Sequence, residues 1–177
     1  MLDEVSLRPV NESDLPIFFE QEQDPDARHM AAFTHPDPTN PAAFMAHWAR
    51  VRSDPENISR AILWDGQVVG SIFSWVESGD AGERTRELGY WLGKPYWGKG
   101  IATRALALLL REIPTRPIFA HAAKDNLGSI RVLEKCGFAI ISEDMYYAQA
   151  RGTEIPEVLL KLDGRADAAS GEPTASA

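Results

Sequence analysis

The stretch GKPYWGKGIATRAL (residues 93–106) decides how this chain is read. Gly93, Gly98 and Lys99 fit G-x-x-x-x-G-K-S/T, the phosphate loop of nucleotide hydrolases. The next residue should carry the hydroxyl that holds Mg²⁺, and it is Gly100. Thr103 comes too late. The dinucleotide fingerprint fails as well, because Gly98-x-Gly100-x-x-Thr103 lacks a third glycine. The physics of an anion site nonetheless survives. TRELGYWL upstream reads as a strand, and IATRALALLLREI downstream reads as a helix with Ile101, Ala105, Leu108 and Leu109 inward. Glycines between them allow close backbone approach, and the free N–H groups of residues 98–102 stand at the positive end of the helix dipole. Either the glycines only turn a strand into a helix, or they cradle a pyrophosphate without metal. The stretch alone leaves both open.

The rest of the chain narrows the choice. Its 177 residues suggest one domain with a substantial core. A net charge of −8 argues against nucleic acid, whose binding rests on basic surface. It suits an amine-bearing substrate. No run of apolar residues reaches the length of a membrane span. The start, MLDEVSLRPV, is acidic and lacks an apolar signal core, so the expected location is cytoplasmic. The single cysteine, Cys136, forms no intramolecular disulfide, makes no metal site alone, and reads as an inert thiol.

VSLRPV alternates like a strand, and Asn11 with Asp14 three residues on suits a helix start before Leu15, Phe18 and Phe19. Residues 24–38 read as an irregular connection with a short helical turn near residues 27–32. Asn40 and Pro41 open a second helix, with Phe44, Met45, Trp48 and Val51 at helical spacing. Two β-rich runs flank Asp65-Gly66, the strongest short hairpin signal. RPIFAHAA is a strand, NLGSIRVLEKCGF a helix closed by Gly137, and residues 138–148 and 155–162 are final strands. The order β-α-α-β-β-β-α-β-α-β-β predicts a mixed α/β sheet with helices on both faces. The domain is expected to span residues 1–162. The small, polar tail from residue 163 to 177 is expected to be disordered.

NLGSIRVLEKCGF has the form N-x-x-S-x-x-x-L-x-K-x-G-F. Together with the glycine loop and SLRPVNESDL, it resembles the GNAT superfamily of acetyl-CoA-dependent N-acetyltransferases over residues 5–162, in particular the branch of ribosomal-protein N-terminal acetyltransferases. The resemblance implies a mostly antiparallel central sheet with two splayed strands, TRELGYWL and RPIFAHAA. It implies acetyl-CoA as co-substrate, no metal, an amine or protein N-terminus as acceptor, no nucleic acid or membrane partner, and a monomer or homodimer. It places the coenzyme on Trp91, Leu92, Trp97, Gly98, Lys99, Gly100, Ile101, Ala102, Thr103, Asn126 and Ser129, with Trp97 standing where the family motif has Arg or Gln. A backbone N–H near Trp91 or Leu92 would serve the oxyanion. Asn126 would bond the pantetheine and Ser129 would reach the sulfur. Without the resemblance, Asn126 is an N-cap and Ser129 a first-turn serine.

Acetyl transfer needs a base for the amine and a donor for the leaving sulfur. Glu87 is the first candidate base, with a surface pairing to Arg84 or Arg86 as the alternative; His121 is the second. Many relatives carry a tyrosine seven residues after the motif asparagine, and here that residue is Leu133. Phe33, His35, Trp48, Trp75 and Tyr146 are candidate walls for the acceptor. Two competing readings remain: a non-catalytic acyl-CoA-binding protein on the same fold, and an ATP-dependent enzyme using residues 93–100.

Overall fold

In the computed structural model, which describes residues 4–164, Asp65 and Gly66 close a two-residue hairpin with φ of 49° and 81°. Positive φ at both positions is type I′ geometry, which matches the twist of the flanking strands. These are β2 (Ile58–Trp64) and β3 (Gln67–Ser78). Around them assemble β1 (Val5–Pro9), β4 (Arg84–Leu92), β5 (Ile118–Ala123), β6 (Ala139–Ala148) and β7 (Thr153–Leu162). The seven strands lie in the order β1-β2-β3-β4-β5-β7-β6. All neighbours are antiparallel except β4 and β5. Those two run parallel and pair only at Arg86 with Ile118 and Glu87 with Phe119. Beyond that point they diverge, as the splayed pair expected from the sequence.

Among the described residues five α-helices cover the sheet: α1 (Leu15–Glu22), α2 (Pro25–Ala31), α3 (Pro41–Ser53), α4 (Ile101–Glu112) and α5 (Leu127–Lys135). Strand alternation sorts them. Leu88 and Leu92 of β4, with Ile72, Ile118 and Ala120, pack against Ile101, Ala105, Leu106 and Leu109 of α4 and Ile130 and Leu133 of α5. Each such leucine or isoleucine side chain contributes about 1.5–3 kcal/mol by leaving water. The other face carries α1 and α3, where Leu15, Phe18 and Trp48 close over Val10 and Ala61. The Trp48 ring lies 5.3 Å from Phe18 and 6.3 Å from Phe73.

Three local readings change. The connection after α1 holds a full helix, α2, because Asp24 accepts from Ala27 N–H (2.9 Å) and Pro25 supplies a first helical residue with no N–H to satisfy. Leu106, not Leu108, completes the buried stripe of α4. Met45 is 46% exposed, because α3 meets the sheet only along Phe44, Trp48 and Val51. Asp14 proves to be more than a helix-start residue. It is 2% exposed, takes both guanidinium nitrogens of Arg8 at 2.6 and 2.8 Å, and accepts from Asn11 N–H at 2.8 Å. The Arg8 guanidinium holds its carboxyl below the usual range. The tail from residue 165 lies outside the described residues. Among the described residues no helix is long and apolar enough to cross a membrane.

Candidate active site

The loop between β4 and α4 is built on two left-handed glycines, Gly98 (φ 73°) and Gly100 (φ 74°). Any other L-residue is strained there. Gly100 is the N-cap of α4 and supplies no side chain to the first-turn N–H groups, which have no acceptor within the helix. A Cβ built at Gly98 or Gly100 meets nothing within 4 Å. The backbone therefore faces open space at the positive end of a 12-residue helix, which fits a phosphate group. The rest of the loop is fastened. Trp97 Nε1 donates to Leu92 O (2.8 Å), Lys99 Nζ sits 5.3 Å above the Trp64 ring, and Tyr96 meets Trp64 edge-on. Arg104 reaches back to the carbonyls of Gly100 and Lys99. Trp97, in the place of a motif Arg or Gln, thus ties the loop to the end of β4.

This open surface belongs to a cavity of about 540 Å³ that runs from the loop into the gap between α5 and β4. Every residue expected at the coenzyme lines it except Lys99, which is turned toward Trp64. The sequence reading missed the α2 residues Ala27, Met30 and Ala31, and it missed Tyr90, Arg131 and Lys135. Lys135 was visible as the K of N-x-x-S-x-x-x-L-x-K-x-G-F. The α2 wall had no signal, because its helix was read as a turn. Asn126 caps α5 by accepting from Ser129 N–H (3.1 Å), and its Nδ2 donates to Met30 O (3.1 Å). The N-cap allowed by the sequence is present, and the same side chain binds α2 to α5. Ser129 Oγ lies 3.0 Å from the Tyr90 hydroxyl. Leu133 is core, at 2% exposure.

Gly93 N–H donates to Val69 O. Alternation along the regular β3–β4 ladder then turns Trp91 N–H toward β3 and Leu92 N–H into the splayed gap. On the α1–α3 face, Glu87 is 7% exposed at the last paired step before the strands part. Its arginine neighbours do not hold it: Arg84 pairs with Glu56, and Arg86 donates to Glu56 O. Thr85 Oγ1 donates to Glu87 Oε1 (3.2 Å), while Oε2 is buried without a hydrogen bond, 3.4 Å from His121 Nε2. The other imidazole nitrogen, Nδ1, stands 2.7 Å from Glu157 Oε1. The hydrogen bond to Glu157 and the nearby Glu87 carboxylate push His121 up to about 9, against the smaller opposing effect of burial. An imidazole held protonated at neutral pH is a poor base, so this environment favours Glu87 over His121 for that role. Glu157 went unread because its link to His121 is a diagonal across the β5–β7 ladder.

The expected acceptor walls are scattered. None of Phe33, His35, Trp48, Trp75 and Tyr146 lines the large cavity. Trp48 is core at 3% exposure, which corrects its reading as a wall residue. Phe33 packs on a small cluster of Ala32, Ala123 and Ala148. His35 is an exposed loop residue whose Nδ1 accepts from Asp37 N–H. Trp75 stacks on Phe73 and donates to Glu77, and Tyr146 is 49% exposed on the edge strand. Among the described residues no three His, Cys, Asp or Glu groups are placed to hold a metal ion.

Residues 4–139 match the acetyltransferase (GNAT) domain family. The chain belongs to that family. Two curated relatives are Bacillus subtilis (strain 168) N-acetyltransferases by assigned name. YdaF, assigned as a ribosomal N-acetyltransferase, is 34% identical over 95 residues, 51% of each chain. YjcK is 44% identical over 59 residues, 31% of this chain and 33% of its own. This GNAT chain thus spans about half the length of one and a third of the other. Solved structures share the fold. RimL, a ribosomal alpha-N-protein acetyltransferase in complex with coenzyme A, superposes with TM-score 0.78 at 17% identity, covering 94% of this chain and 97% of RimL. Mycobacterium smegmatis RimJ, in complex with CoA-disulfide, gives 0.74 at 24%, covering 90% and 81%. Spermidine N-acetyltransferase from Vibrio cholerae, solved with CoA and spermine, gives 0.76 at 14%, covering 90% and 95%.

Proposed function

We propose that the protein acetylates a primary amine by direct attack on acetyl-CoA in a ternary complex. The acceptor is a protein N-terminus or a small-molecule amine, met in the cytoplasm. The observation that carries this reading is the uncapped, glycine-opened start of α4, joined by one cavity to the end of β4 that has parted from β5 and faces α5. Acetyl-CoA supplies an activated acyl carbon as its thioester. The N–H groups at Gly98, Gly100 and the first turn of α4 hold the pyrophosphate. Unpaired backbone of β4 in the gap pairs with the pantetheine arm, as an extended ligand pairs with a sheet edge.

Glu87 accepts the proton of the attacking amine, directly or through a water, and passes it to solvent. The new C–N bond forms as the C–S bond breaks. Leu92 N–H donates to the carbonyl oxygen as charge gathers there. The electron pair of the broken bond goes to sulfur, where the Ser129 hydroxyl donates a hydrogen bond. His121 and Glu157 hold Glu87 in place from β5 and β7.

The test is thiol release from acetyl-CoA over a panel of amines and N-terminal peptides, with ATP–Mg²⁺ as the contrasting ligand in binding. Glu87→Gln should lower kcat roughly 100-fold while acetyl-CoA still binds. Wild-type kcat in that variant removes Glu87 from the chemistry. Acetyl-CoA binding without thiol release for any amine favours the non-catalytic reading instead.

A further inference from the structure

Tyr90 was only one letter of TRELGYWL, yet it reaches the most chemically loaded point of the cavity. Its side chain lies on the α4–α5 face of β4, packed against the main core. Its hydroxyl donates to Ser129 Oγ at 3.0 Å, linking β4 to the first turn of α5 across the cavity that both residues line. Backbone fixes the serine from the other side, since Ser129 N–H donates to Asn126 Oδ1. A serine hydroxyl carries one hydrogen and accepts at its lone pairs. When Tyr90 donates to it, the serine hydrogen must point elsewhere, and the open direction is the cavity. Burial pushes the Tyr90 hydroxyl up to about 12, so it stays protonated and remains a donor at every working pH. α5 brings no phenol of its own here, because Leu133 is sealed in the core.

We propose that Tyr90 is a positioning residue: its phenol orients the Ser129 hydroxyl so that the serine hydrogen faces the leaving sulfur. This rests on the acetyltransferase reading above. Tyr90 transfers no proton; it sets the direction of the bond that Ser129 makes.

The experiment is a double-mutant cycle of Tyr90→Phe and Ser129→Ala, read as kcat, KM for acetyl-CoA and the coenzyme-induced rise in unfolding temperature. Phenylalanine keeps the ring, and the coenzyme-induced rise reports that each variant is folded with its site intact. Tyr90→Phe should lower kcat roughly tenfold, the worth of one ordinary hydrogen bond, with KM for acetyl-CoA within about twofold of wild type. In the Ser129→Ala background the same change should do nothing more, because Tyr90 acts only through Ser129. A merely structural tyrosine would cost the same in both backgrounds. Wild-type kcat in Tyr90→Phe, or losses that multiply in the double variant, overturn the inference while a slow Ser129→Ala leaves the acetyltransferase reading standing. A Ser129→Ala variant with wild-type kcat removes the serine from the chemistry and takes this inference with it.

Discussion

Replacing Gly100 by alanine separates the folding role of the glycine loop from its binding role. Gly100 has φ of 74°, and a Cβ there meets nothing within 4 Å. The folded protein alone therefore feels only backbone strain. A left-handed L-residue costs roughly 1–2 kcal/mol, and the stiffer unfolded chain returns about 0.4–1 kcal/mol. The net loss is about 1 kcal/mol, or roughly 2–4 °C in Tm for a chain of this size. Gly66 is the control. It has φ of 81°, equally open surroundings, and sits in a hairpin turn that does not line the cavity. Gly66→Ala should cost about the same. The variants should part company when acetyl-CoA is added. At a hundred times its dissociation constant a ligand adds about 2.7 kcal/mol, roughly 5–10 °C here. Gly66→Ala should keep that increment. Gly100→Ala should lose most of it if the proposed cradle holds the phosphates, because the methyl would occupy that surface. Differential scanning fluorimetry of both variants with and without acetyl-CoA decides the matter. Equal increments in the two would refute the anion cradle, and an unstrained Gly100→Ala would refute the reasoning about φ.

Two further outcomes concern stability. His121 is raised above its unfolded value by Glu157 and Glu87, so its contribution is full below about pH 6.5 and is lost as pH rises through about 9. Tm should fall across that window, and His121→Asn should flatten the slope between pH 7 and 10; an unchanged slope would mean that another group carries it. Asp14→Ala removes the acceptor of Arg8 and of Asn11 N–H together and should cost roughly 2–3 kcal/mol in urea unfolding, while a loss below about 0.5 kcal/mol would show the pair to be idle.

What the sequence made legible was whatever rests on local patterns. Asp65-Gly66 announced its hairpin because only a few residues tolerate two positive φ angles in a row. Gly98, Gly100 and Gly137 announced the start of α4 and the end of α5 for related reasons. Trp48 misled because helical spacing marks a buried face without saying whether core or ligand covers it. Tyr90 with Ser129, and His121 with Glu157, are 39 and 36 residues apart. Their meetings depend on strand register and on the seating of α5, which no local pattern encodes.

A β-sheet ordinarily works as a partition, its hydrogen-bonded backbone closed to anything larger than a proton's journey. Here the partition has a slot, because β4 and β5 hold each other at only two pairs before separating. One side of the slot looks toward Ser129 and α5, the other toward Glu87 and His121. In the ternary complex proposed above, the two reactants would arrive from opposite sides of one wall and meet within its thickness. In the proposed reaction neither would have to vacate a shared chamber for the other, and Glu87, the proposed base, is kept apart from Ser129, proposed to steady the departing sulfur.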